Sequence, residues 1–168
     1  MDVAEAIRTR RTHKAFGPEP VPADVLRELF ELARWAPNHH LTNPWRFRVV
    51  GPRTLERLKA ADPKGAAKLD RAPTLVIASA MQQGDEDQRQ EDLCASACAA
   101  YIVLLAAHAR GIASYWRTPF VLRTAEGRAA AGLPDDERVI GLLHLGYSDR
   151  DWQAPPRTDV GGIVHYLE

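Results

Sequence analysis

Several signatures that reveal chemistry directly are missing from these 168 residues. No stretch fits GxxxxGK[ST], and no GxGxxG follows a candidate strand, which removes support for P-loop, Rossmann and kinase readings. There is no GxSxG elbow, no HExxH helix and no pair of carboxylates placed for acid and base roles. An enzyme of this composition would rely on a bound cofactor for its chemistry.

Cysteine is scarce too. Cys94 and Cys98 stand four apart in a helical stretch, without the second pair a structural zinc would need, and read as small reduced core residues. Neither sign of charge dominates: 22 basic residues balance 22 acidic ones, so no net field favours nucleic acid or an anionic membrane. No apolar run reaches the roughly 20 residues of a membrane span. The opening MDVAEAIRTRR lacks the apolar segment of a signal peptide, which makes the cytoplasm the expected compartment. What is present, 45% hydrophobic and 26% charged residues, predicts one folded domain over 1–168 with a sizeable core.

Helical and strand periods alternate along that domain. Asp2 is placed to cap a first helix carrying Val3, Ala6 and Ile7, and Gly17, Pro18 and Pro20 close the loop after it. A second helix starts near Pro22, carries Val25, Leu26, Leu29, Phe30 and Ala33 as one stripe, and stops at Pro37. RFRVVG predicts a strand, TLERLKAA a helix, and APTLVIASA a strand covered on both faces and therefore central. From Glu86 to Arg110 runs the longest periodic segment, about 25 residues or roughly 37 Å as a helix. Beyond Leu93 it is apolar on nearly every face, which predicts burial against a second subunit as well as its own core. GIASYWRT and RVIGLLHLGYS read as further strands around the short helix VLRTAEGRAAAG. The tail's IVHYL reads as a terminal strand open to exchange with another subunit.

Two stretches carry candidate chemistry. Arg10, Arg11, Thr12 and Lys14 place three cations and a hydroxyl within five residues at a helix end, the donor set of a phosphate monoester site, although such a cluster alone is commonly a solvated face. APNHHLTNPWRF, residues 36 to 47, sets Asn38, His39, His40 and Asn43 in a loop between prolines: a metal site, a cofactor cradle or a turn. Adjacent histidines point apart in extended chain and no third ligand has suitable spacing, so no metal is expected. His108 and His144 fall in apolar segments and read as core histidines, and Trp45 as a packing anchor at the strand entrance.

RRTHKAF, then an amphipathic helix, then APNHHLTNPWRF entering a strand resembles the N-terminal third of the FMN-dependent nitroreductase family, with its Arg-Arg-Ser/Thr-x-Arg/Lys-x-Phe and Ala-Pro-Ser-x-x-Asn-x-Gln-Pro-Trp-x-Phe motifs. The likeness continues through the long helix, Ser114-Tyr115-Trp116-Arg117-Thr118 and LHLGYSD, and the size is that of the compact single-domain branch. The resemblance implies an α+β, nitroreductase-like fold: a central mixed β-sheet flanked by helices, in a homodimer with the long helix at the interface. It implies FMN at the subunit interface, NADH or NADPH as donor, and ping-pong hydride transfer through flavin N5 to nitroaromatics, quinones or similar acceptors, with no catalytic side chain. Rival readings are a related flavoenzyme with a dedicated substrate (dehalogenation, ene reduction or metabolite oxidation) and a flavin-binding redox module without turnover.

The same resemblance puts Arg10 and Thr12 on the FMN phosphate or ribityl chain with Arg11 beside them, and Lys14 at the pyrimidine edge of the ring. It puts Asn38 and His39 against flavin across the dimer, and Trp116, Arg117 and Thr118 on the other side of the ring or at the phosphate. Leu41 occupies the position of the family's Asn and cannot donate its amide hydrogen bond. Pro119 stands where the compact branch often has Gly, and Arg157 is a weak substitute for the basic pair that larger members place near the C-terminus. The segments 62–71 and 81–90 are candidates to roof the substrate site.

Overall fold

The computed structural model describes residues 1–150 and 153–167. Five helices, α1 (Val3–Thr9), α2 (Ala23–Ala33), α3 (Pro52–Ala61), α4 (Glu86–Ala109) and α5 (Ala125–Ala131), and four strands, β1 (Trp45–Val49), β2 (Thr74–Met81), β3 (Ala113–Arg117) and β4 (Glu137–Gly146), form an α+β fold. Side-chain caps start three of the helices. Asp2 accepts from the Glu5 amide (2.7 Å), Asp85 from that of Gln88 (2.9 Å) and Thr124 from that of Gly127 (3.1 Å), each satisfying a donor that the first turn leaves without a partner.

The sheet has the order β1-β2-β4-β3, with every neighbouring pair antiparallel. The expected mixed sheet is therefore antiparallel in its named strands. β2 and β3, joined through α4, run in the same direction, but β4 returns between them antiparallel to both. The one parallel contact among the described residues is an isolated bridge from Thr12 to Ser114 on β3.

β2 is central and buried almost throughout, as a continuous apolar strand should be. Val76 and Ala78 join Leu143, Leu145 and the buried faces of α2 and α4 on one side of the sheet. Leu75 and Ile77 join Leu142, Leu58 of α3 and the turn residues Val121 and Leu122 on the other. A Cβ on Gly141 would come within 1.9 Å of the Trp116 indole nitrogen; only glycine leaves room for that ring to cross β4, where it donates to the Ile140 carbonyl at 3.1 Å.

By length and composition alone α4 suffices to cross a bilayer, contrary to the expectation from apolar run length. Its Ala95, Ala99, Ala100, Val103, Leu104 and Ala107 are instead buried in the protein core. Burial is not complete on every face: Cys94 and Cys98, expected in the core, are exposed, and Tyr101 continues their stripe one turn further on. The expected terminal strand is also not formed within this chain. Among the described residues no strand pairs with 163–167; the Ile163 and Val164 amides donate to the Val160 carbonyl at 3.0 and 3.1 Å, and Tyr166 and Leu167 are almost fully open to solvent.

Candidate functional site

α1 ends at Thr9, and Arg10 leaves the helix in an extended conformation while its amide still reaches the Ala6 carbonyl. The chain then lies along the outer edge of β3, where the His13 amide donates to the Ser114 carbonyl at 2.9 Å and Thr12 bridges Ser114. Arg10, Arg11, Thr12 and Lys14 thereby line one pocket of about 580 Å³ together with Tyr115 and, from the tail, Arg157. Four cations converge there, and among the described residues no carboxylate lines the wall. Arg10 also sits over the Tyr101 ring of α4, 5.8 Å from its centroid.

These cations are incompletely satisfied. Nε of Arg10, Nε of Arg11 and, two residues beyond Tyr115, Nη1 of Arg117 are buried without a hydrogen-bond partner among the described residues. Buried donors without acceptors are costly, and a ligand bearing phosphate or carbonyl oxygens supplies what they lack. The residues present therefore fit FMN. The same charges act on His108, whose pKa is pushed down by burial and by Arg10 and Arg11. The Thr9 hydroxyl donates to the Glu5 carbonyl, so the 2.7 Å contact between Thr9 and His108 is a donation from Nε2–H.

β3 divides its candidates. Trp116 and Thr118 both direct their polar atoms to the Ile140 carbonyl of β4, at 3.1 and 3.3 Å. Thr118 lines a separate pocket of about 650 Å³ with Gln82, Arg123, Arg128 and Arg138. Neither joins the pocket that holds Arg10. Tyr115 does, and its cross-strand partner is His144, with ring centroids 5.4 Å apart. His144 is fully buried, and neither ring nitrogen is bonded among the described residues. Its pKa is pushed down to about 4 by burial, with Arg117 and Arg71 adding to the effect, so the ring is neutral at pH 7.

The 38–43 loop lies elsewhere on α4. His40, Leu41 and Asn43 adopt left-handed backbone, with φ of 51°, 52° and 46°, each costing about 1–3 kcal/mol for a non-glycine residue. Local bonds hold this shape. Asn38 Oδ1 accepts from the Asn43 amide (2.9 Å), Asn43 Nδ2 donates to the Leu41 carbonyl (2.7 Å), and Thr42 Oγ1 donates to the buried Asp92 (2.6 Å). His39 Nδ1 contacts Glu91 Oε2 at 2.5 Å. The left-handed residue at position 40 also corrects the expected divergence of the two histidines, whose rings stack at 3.8 Å. No group of three or more His, Cys, Asp or Glu residues suited to a metal exists among the described residues. Leu41 is 77% exposed and has no side-chain donor to offer.

Glu91, beneath His39, and Tyr101, beneath Arg10, are ten residues apart on α4, about 15 Å along its axis. Within one chain the two motifs thus meet different parts of the same helix.

The nitroreductase family model matches residues 7–62 and 56–147, a span that contains both motifs. The chain belongs to the nitroreductase family. YfhC of Bacillus subtilis, provisionally named an NAD(P)H nitroreductase, is 29% identical over 173 residues, covering 93% of this chain and 89% of its own length. A nitroreductase-like family protein from Bacillus cereus superimposes with a TM-score of 0.90 at 24% identity, covering 100% of this chain and 97% of that one. A provisionally named nitroreductase from Desulfovibrio desulfuricans, crystallised in complex with FMN, gives 0.83 at 23% identity, covering 99% of this chain and 96% of its own. These likenesses extend over nearly the whole of each chain, so this nitroreductase-family member shares the fold.

Three residues of this nitroreductase-family chain escape a sequence reading of the site. Tyr115 is adjacent to the conspicuous Trp116 but takes the opposite face of β3. Glu91 and Asp92 look like the solvated start of a helix, whereas they hold His39 and Thr42.

Proposed function

We propose that this chain is an FMN-dependent oxidoreductase that draws electrons from NADH or NADPH and delivers them to electron-poor acceptors such as nitroaromatics or quinones. We assign it to the cytoplasm, as a homodimer in which residues 1–168 form one flavin-binding domain. The observation that carries the reading is the pocket on the β3 edge, where Arg10, Arg11, Lys14 and Arg157 converge with no carboxylate among the described lining residues. Buried guanidinium nitrogens beside it lack acceptors among the described residues. The FMN complex of the Desulfovibrio relative supports the same cofactor.

In this reading FMN supplies the two-electron hydride chemistry. Arg10, Arg11, Thr12 and Arg157 hold the phosphate end, and Lys14 presents its ammonium to the ring. Arg117 offers its unpaired Nη1, and Tyr115 forms a wall. Trp116 and Thr118 act indirectly, by fixing β3 to β4 through the Ile140 carbonyl. Asn38, His39 and Leu41 serve the site of a second copy. The 15 Å offset between the motifs along α4 supports that division, as do the exposed Cys94, Cys98 and Tyr101 stripe and the uncovered C-terminal tail.

The test is direct. Purified protein should be yellow, release FMN on denaturation, and oxidise NAD(P)H when a nitroarene or quinone is added. A colourless protein that takes up no FMN would sink the reading.

A further inference from the structure

His39 Nδ1 lies 2.5 Å from Glu91 Oε2. An ionised carboxylate only accepts, so Nδ1 carries the hydrogen, and in the neutral ring Nε2 keeps its lone pair. In water the neutral histidine side chain favours the opposite tautomer, with its hydrogen on Nε2. Glu91 therefore selects the minority form.

The support for this arrangement exceeds what stability calls for. Both side chains are half exposed, 55% for His39 and 50% for Glu91, and exposed pairs of this kind add little to folding free energy. Yet the loop presenting His39 holds three left-handed residues, is closed by Asn38 on Asn43, and is clamped by Thr42 to Asp92, which is buried and bound in turn by Gln88 at 3.0 Å. The His40 ring stacks on the His39 ring at 14° between planes. Strain retained by surrounding bonds at an exposed position serves to aim an atom.

We infer that Glu91 is a positioning residue, fixing the tautomer and ring plane of His39 so that Nε2 is offered outward as an acceptor for a ligand N–H, the chemistry presented by the imide edge of a flavin. The ligand half of this inference rests on the proposed flavin site. The tautomer half does not, because Glu91 and His39 belong to the same chain.

The experiment is 15N NMR of the imidazole nitrogens in the full-length protein at about pH 9, where an ordinary histidine is neutral, with and without FMN. The His39 signals are assigned by their loss in His39→Asn. Wild type should show the Nδ1–H tautomer, Glu91→Ala should revert to Nε2–H, and Glu91→Gln, whose amide oxygen still accepts, should keep the wild-type form. In parallel, the FMN dissociation constant should rise about fivefold in Glu91→Ala, the loss of one ordinary hydrogen bond, and stay near wild type in Glu91→Gln. An Nε2–H tautomer in a wild type that binds FMN overturns this inference alone, as does a Glu91→Ala protein with unchanged tautomer. The predicted tautomers with an unmoved FMN constant overturn its ligand half. A wild type with the predicted tautomer that binds no FMN defeats the flavin reading and the ligand half together.

Discussion

Thr12 and Ser114 form a parallel bridge that fastens the Arg-Arg-Thr-His-Lys segment to the outer edge of β3. A cluster of cations that would otherwise be a solvated helix end becomes one wall of a pocket, with Tyr115 and Arg157 completing it. The bridge brings the cation segment and Tyr115 of β3 to one pocket.

Arg10→Ala should weaken FMN binding by about tenfold or more, since a charge-assisted hydrogen bond contributes about 1.5–3 kcal/mol. Fluorescence titration of the flavin-free protein measures it, and an unchanged dissociation constant would remove Arg10 from the phosphate end. Arg157→Ala should act in the same direction.

His144 is a buried, neutral ring whose two nitrogens have no hydrogen-bond partner among the described residues. Replacing it with leucine should be neutral or stabilising at pH 7, because the desolvation cost of those nitrogens disappears. Because the folded-state pKa is depressed to about 4 from the ordinary 6.5, the unfolded chain binds more protons between those values. Wild-type stability is then full above about 6.5 and declines as pH falls toward 4, by up to about 3 kcal/mol. Denaturation of both proteins across that window checks it: His144→Leu should lose most of this dependence.

Glu137 is nearly buried and accepts both Arg48 guanidinium nitrogens, at 2.6 and 2.7 Å, and the Ser79 hydroxyl at 2.6 Å. Burial pushes its pKa up, but the hydrogen bonds from Arg48 and Ser79 and the Arg48 charge outweigh it and leave the carboxyl below its ordinary value. Its contribution is present above that ordinary value and is lost as pH falls through the lower, folded-state one. Arg48→Ala leaves the carboxylate buried without its counter-charge, held by Ser79, and should cost about 2–4 kcal/mol in urea denaturation, toward the low end because Ser79 still donates and Arg48 itself is partly exposed.

Tyr101→Asp puts a charge in the exposed stripe of α4, beneath Arg10. Sedimentation should show a shift from dimer to monomer, accompanied by loss of bound flavin. A dimer that persists with flavin in place would contradict the role given to this face.

Much of the fold is legible in the sequence because burial leaves periodic marks. The α2 stripe, the continuous apolar run of β2 and the cap at Asp2 all report local geometry, whereas VLRTAEGRAAAG hides its start: residues 120–123 form a 3-10 turn and Thr124 caps the helix from Ala125. Strand direction is less visible: nothing in RVIGLLHLGYS indicates that it inserts between β2 and β3 and makes the sheet antiparallel. The cation cluster and the Asn-His loop are legible as motifs. What they touch is not, since Glu91 resembles any charged residue in a helix's first turns and the left-handed backbone at His40 leaves no compositional trace. Tyr115 is obscured by its neighbours, because alternation along a strand separates adjacent residues onto opposite faces.

Native mass spectrometry of the purified protein tests the central claim most directly, since it reads assembly and cofactor together. The account predicts a dimer carrying two FMN molecules. A monomer, or a dimer that remains without FMN when the cofactor is supplied in excess, would contradict it.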